Sequence, residues 1–176
     1  MTHASALRLT PVEREAEAAI DALRQQLAAS GATVDVVDYG AGTRGDRPPV
    51  RRVAEIYRRA ATGPAWGRFL FGLARSLRPQ RVLELGTNLG VGAAHFAGAL
   101  AVTASEGGPS GRLVTMEGAP GLADRAAGHL RRLSHTVGDA ESNRVRIVDG
   151  PFAETLADAA AEEGPFDLVF IDGHHQ

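Results

Sequence analysis

The sequence predicts an open, doubly wound α/β fold, a mostly parallel sheet with helices on both faces and a helical extension before it. Three observations predict it. From residue 81 onward, short apolar runs of strand type alternate with helical patterns. The first such run, Arg81 to Leu85, hands over to a helix through Gly86, Gly90 and Gly92. Four successive runs then carry an acid at or near their ends, Glu84, Glu117, Asp149 and Asp172. Strands that alternate with helices imply parallel pairing through right-handed crossovers, and ligands of such sheets lie at the carboxyl ends of the strands.

Taken in order, Thr10-Pro11-Val12-Glu13 reads as a helix start, with Thr10 as cap, Pro11 at the first helical position and Glu13 closing a capping box. That helix is expected from Pro11 to Ala29, with Val12, Ala16, Ala19, Ile20, Leu23 and Leu27 on one stripe and Gly31 as its stop. Residues 33–49 hold a short β-like run followed by Gly, Asp and Pro. They read as an exposed loop, either a linker or a flap over a ligand site with Asp38 and Tyr39 at its polar tip. A second helix is expected over Val50 to Ala61, with Val53, Ile56, Tyr57 and Ala60 on one face. Thr62-Gly63-Pro64 breaks it, and Ala65 to Leu77 restarts with Trp66, Phe69, Leu70 and Leu73 at helical spacing before Pro79. The alternation that follows is strand 82–85, helix 91–101, strand 112–116, helix 120–133, strand 145–148, helix 152–162 and strand 167–171. Residues 1–61 are therefore expected to form an N-terminal helical extension with a flap loop, and 62–176 the ligand-binding domain.

Composition narrows the chemistry. With 176 residues, 44% of them apolar, and a net charge of −2, one soluble domain is the default. No run approaches the length of a membrane span and the first residues lack a signal-peptide core, which points to the cytoplasm and to no membrane partner. The absence of cysteine excludes disulfides, thiolate metal sites and a thiol nucleophile. All 19 basic residues are arginine, so a P-loop lysine, a Schiff-base lysine and a lysine base are excluded as well. Arg51, Arg52, Arg58 and Arg59 read as a solvated helix face and not as a nucleic-acid patch, because acids elsewhere balance them and no aromatics interleave.

The turn after the first strand offers unpaired N–H groups and the positive end of a helix dipole. Glu117, about thirty residues beyond Glu84, stands where an acid accepts hydrogen bonds from ribose hydroxyls. The ordered series VLELGTNLGVG, TMEGAP, DGPF and FDLVFIDGHH resembles the class I S-adenosylmethionine-dependent methyltransferases, with their Rossmann-like fold, and most closely their catechol and caffeoyl-CoA O-methyltransferase branch. The resemblance covers about Thr62 to Gln176. It implies that Thr62, Gly63, Glu84, Gly86, Thr87, Asn88, Gly90 and Gly92 hold the methionine end of S-adenosylmethionine. It further implies that Glu117 and Gly118 bind the ribose side, and that Asp149, Gly150, Pro151 and Phe152 flank the adenine.

Asp172 falls where metal-dependent relatives place their first Mg²⁺ carboxylate, and His175 where some carry a catalytic base. The resemblance thus implies methyl transfer to a hydroxyl of a small molecule and leaves room for Mg²⁺ or another divalent cation and for a homodimer. On the residues alone, Asp172 also reads as a helix cap, and His174-His175 as solvent-exposed. Relatives have further strands, an acidic pair completing the metal site and a final hairpin, so a chain ending at Gln176 reads as an incomplete domain. Gly92 departs from relatives that carry Ser there. A short-chain dehydrogenase also fits the Gly86, Gly90 and Gly92 spacing, but it needs a Tyr-x-x-x-Lys pair that a lysine-free chain lacks. An aminopropyl transferase would display further acids. A catalytically inactive cofactor-binding domain of the same fold stays open.

Overall fold

The computed structural model describes residues 9–36, 50–137 and 143–173. Its first helix, α1 (Pro11–Ala28), opens on the capping box: Thr10 Oγ1 accepts the Glu13 N–H at 3.2 Å, and the Glu13 carboxylate accepts the Thr10 N–H at 2.8 Å. Ala16, Ile20, Leu23 and Leu27 form its buried stripe.

The next segment corrects one expectation. β1 (Thr33–Asp35) pairs antiparallel with β2 (Val50–Arg52), so the helix expected from Val50 begins later, as α2 (Val53–Ala60). Pairing with a partner strand holds residues 50–52 extended, and the Val53 N–H donates to the Ala32 carbonyl at 3.0 Å.

α3 (Pro64–Leu77) turns a different face inward from the one its spacing suggested. Gly67, Leu70, Phe71 and Ala74 are buried, whereas Trp66 and Phe69 stack on each other at the surface, ring centroids 4.8 Å apart. The inward face carries Gly67, where an added Cβ would lie 2.2 Å from His95 Nε2, so the glycine makes room for the imidazole between α3 and the helix behind it.

The second half is the alternation read from the sequence: β3 (Arg81–Leu85), α4 (Val91–Ser105), β4 (Arg112–Glu117), α5 (Pro120–Thr136), β5 (Val145–Asp149), α6 (Phe152–Glu163) and β6 (Leu168–Ile171). The four strands pair in parallel in the order β5-β4-β3-β6. Alternate residues feed two cores. Val82 and Leu113 join the cluster under α1, α4 and α5, while Leu83, Leu85, Val114 and Met116 pack with Ala159 of α6 on the opposite face. α4 is buried almost all round, as its apolar, small-residue sequence requires. Its Phe96 is 1% exposed and meets Phe170 of β6 at 5.7 Å between centroids. That burial contributes about 1.5–3 kcal/mol, and the ring pair about 0.5–1.5 kcal/mol more.

The chain moves outward from β3 through β4 to β5, then returns through α6 to the other side of β3. The reversal opens a crevice beyond the carboxyl ends of β3 and its neighbours.

Candidate functional site

The turn after β3 is held in place by backbone bonds on both sides. The N–H groups of Gly86 and Thr87 donate to the Met116 carbonyl at 2.9 and 3.0 Å, and the Asp172 N–H donates to the Leu85 carbonyl at 2.9 Å. Gly86 has φ +103°, and a Cβ there would stand 2.7 Å from the Gly173 nitrogen. Backbone crossing this closely leaves room for glycine alone. Gly90, at φ +84°, then caps α4.

Two acids are fixed around that turn. Glu84 and Thr115 are register partners on the α4 side of the sheet, and the Thr115 hydroxyl donates to Glu84 Oε2 at 2.5 Å. A Cβ on residue 92 would lie 2.5 Å from Glu84 Oε1 and 3.1 Å from Thr62 Oγ1, so the glycine at this position makes room for the carboxylate. Complete burial pushes Glu84 up to about 8; the Thr115 bond opposes this, and the charges of Asp172 and Glu117 add to it. Glu117 accepts the Asn88 N–H at 2.7 Å through Oε2 and the Ala119 N–H at 2.9 Å through Oε1. Burial raises its pKa, and these backbone donors hold it back.

Above these residues lies a cleft of about 670 Å³. Of the residues read from the sequence, Thr62, Gly86, Thr87, Asn88, Gly92, Glu117, Gly118, Pro151, Phe152 and Asp172 line it. Five others stand behind its surface. Gly63 caps α3, Gly90 packs toward Ala126, and Glu84 is 1% exposed beneath Gly92. Asp149 ends β5 on an exposed position, and Gly150, at φ +121°, turns the chain toward α6. His175, with Asp38 and Tyr39 of the expected flap, lies outside the described residues. Phe152 reaches across to the end of β6, where a Cβ on Gly173 would be 2.7 Å from its ring.

Sequence reasoning missed the apolar part of the wall, including Val36, Ala60, Ala61, Leu89 and Leu122. Alanine, valine and leucine carry no chemical signature, and only the fold gathers them. It missed Glu154 as well, which the first turn of α6 brings to the cleft.

Among the described residues the lining holds three acids, Glu117, Glu154 and Asp172, and no arginine. Such a cleft attracts a cation and opposes a pyrophosphate. It also keeps acceptors in reserve. Each Glu117 oxygen has a further lone pair, and Asn88 Oδ1 is buried without a partner among the described residues. A ligand with an ammonium group, free hydroxyls and a positive sulfur fits this donor and acceptor balance. Asp172 also lines the cleft, and among the described residues no group of three His, Cys, Asp or Glu side chains converges into a metal position.

The fold is that of the Rossmann-like, class I methyltransferases. The methyltransferase domain family matches residues 83–176, and the chain belongs to that family. Catechol O-methyltransferase of Mycobacterium tuberculosis (strain ATCC 25618 / H37Rv) is 39% identical over 115 residues, which are 65% of this chain and 45% of that protein. Among solved structures, cofactor-bound Rv0187 from MTB is 31% identical with a TM-score of 0.51, over 95% of this chain and 55% of that one. The O-methyltransferase TomG from Streptomyces achromogenes, in complex with S-adenosylmethionine, is 25% identical with a TM-score of 0.54, over 96% of this chain and 57% of that one. The chain thus spans about half the length of the relatives it matches.

Proposed function

We propose that this protein binds S-adenosylmethionine in the cleft and transfers its methyl group to a hydroxyl of a small molecule. The observation that carries the reading is the lining at the carboxyl ends of β3, β4 and β6, whose charged members among the described residues are all acids, set over the glycine turn that opens α4. The relatives named above support it. Bound there, the cofactor supplies an electrophilic methyl whose departure leaves a neutral thioether.

The protein's own part is placement and charge. Glu117 accepts the ribose hydroxyls with the lone pairs that the Asn88 and Ala119 amides leave free. Asn88 faces the cationic, ammonium-bearing end, Glu84 acts on that end through its charge from beneath Gly92, and Phe152 covers the adenine. The residues before Thr62 that reach the cleft, Val36, Ala60 and Ala61, close one wall against water, which favours alignment of the acceptor oxygen with the methyl carbon. The acceptor hydroxyl loses its proton as it is methylated, and His175 is the residue we assign to take it. Among the described residues no helix is long and apolar enough to cross a membrane.

The test is turnover: the protein is incubated with S-adenosylmethionine and a panel of catechols and other phenols, and formation of S-adenosylhomocysteine and methyl ether is followed. Coupled formation of both is the expected result. Cofactor binding with no methylation of any acceptor would favour the inactive cofactor-binding domain.

A further inference from the structure

Arg24 belongs to no motif, yet it is one of the most buried charges in the protein, 6% exposed on α1. Its Nη1 donates to the Thr62 carbonyl at 2.9 Å and its Nη2 to His95 Nε2 at 3.0 Å. A guanidinium only donates, so His95 accepts as a neutral ring with its proton on Nδ1. Burial above all, then the charges of Arg24 and Arg68, holds that imidazole down to about 4, and its Nδ1 has no partner among the described residues. Glu17 and Asp21 border the same small recess, but among the described residues neither forms an ion pair with Arg24. A buried cation held by neutral acceptors is costly, and an apolar side chain would serve the packing of α1 on α4 better.

What the guanidinium does is hold a carbonyl. Thr62 lies in the extended link between α2 and α3; the next carbonyl, that of Gly63, accepts the Gly67 N–H of α3 at 2.8 Å, whereas that of Thr62 accepts from Arg24. On the other side of the link, Asn88 Nδ2 donates to the Ala60 carbonyl at 3.3 Å. Ala60, Ala61 and Thr62 are one wall of the cleft, so that wall hangs between two side-chain donors, one from the glycine turn and one from α1.

We propose that Arg24 is a positioning residue for the cofactor cleft: by holding the Thr62 carbonyl it fixes the 60–62 wall against the first turn of α4. This rests on the reading of the cleft as an S-adenosylmethionine site. Helix α1 thereby becomes part of the binding site without touching the ligand.

Calorimetric titration of S-adenosylmethionine into wild type, Arg24→Met, Arg24→Lys and Arg75→Met tests it. Arg75 bonds Glu13, Thr103 and Glu106 and so also ties α1 to α3 and α4, but its partners lie away from the cleft. Arg24→Met is expected to raise Kd about tenfold, Arg24→Lys to recover most of the loss, and Arg75→Met to lower Tm while leaving Kd unchanged. Equal Kd values for Arg24→Met and Arg75→Met would overturn the proposal. Should Arg24→Met not fold, His95→Phe removes the second anchor of the guanidinium; weakened binding supports the proposal, and wild-type affinity overturns it. If wild type itself takes up no cofactor, the reading beneath falls, and this inference with it.

Discussion

Glu117 Oε2 accepts the main-chain N–H of Asn88 at 2.7 Å, joining the end of β4 to the turn that follows β3. The carboxylate that faces the cleft is therefore also the brace of its floor. Shape and chemistry at this point depend on one side chain. Removing it by Glu117→Ala is expected to lower the affinity for S-adenosylmethionine at least tenfold in calorimetry. Loss of the two backbone bonds is expected to cost about 1–3 kcal/mol of stability in denaturant titration. A variant that loses stability but binds normally would separate the two roles and remove Glu117 from the ligand.

Glu84 gives a dependence on pH with a definite sign. Its pKa is 4.5 as an ordinary carboxyl and about 8 in the folded chain. Between those values the folded state keeps a proton that the unfolded state has lost, so this group's contribution to stability falls as pH rises from about 5 to 8 and is level above that. Glu84→Gln is expected to flatten that part of the Tm profile. Because the Asp172 and Glu117 charges push Glu84 up, Asp172→Asn is expected to move the midpoint to lower pH. Because buried His95 and His129 contribute with the opposite sign below about pH 6.5, the wild type is read against Glu84→Gln, and parallel profiles for the two between pH 5 and 8 would contradict the buried, protonated carboxyl.

A cationic ligand reverses this balance by favouring ionised Glu84. Binding of S-adenosylmethionine near neutral pH is expected to release protons, detected as a dependence of the calorimetric heat on the ionisation enthalpy of the buffer. Glu84→Gln is expected to abolish that dependence. Buffer-independent heats in wild type would place the cation away from Glu84.

Two glycines separate backbone necessity from chance. Gly86→Ala forces a Cβ to 2.7 Å from the Gly173 nitrogen at φ +103°, and is expected to cost about 1–3 kcal/mol together with most cofactor binding. Gly72, on the exposed side of α3, has nothing within 4 Å of an added Cβ. Gly72→Ala is expected to be neutral or to stabilise by up to about 1 kcal/mol, read as a rise in Tm.

The parts of this architecture that were legible in the sequence are those that local chemistry determines. The Thr10 capping box, the β3 turn and the acids at the strand ends each depend on a few neighbouring residues. β2 was not legible as a strand, because residues 50–52 are extended only through pairing with 33–35. The buried face of α3 includes Gly67 against His95, and no helical period encodes that contact. The Arg24 to Thr62 bond spans 38 positions and joins a charged residue to a main-chain atom, so nothing in either stretch announces it. Of the cleft lining, Glu117, Asp172 and the glycines of the β3 turn could be named, because acids and glycines carry chemical meaning. The apolar wall could not.

An acid-lined cleft at the strand ends is expected to take a sulfonium cofactor and not a dinucleotide. Titration of the protein with S-adenosylmethionine, S-adenosylhomocysteine and NADH by calorimetry tests it most directly. One equivalent of either sulfur compound is expected to bind, and NADH to give no heat of binding. Saturable binding of NADH, with no uptake of S-adenosylmethionine or S-adenosylhomocysteine, would contradict it.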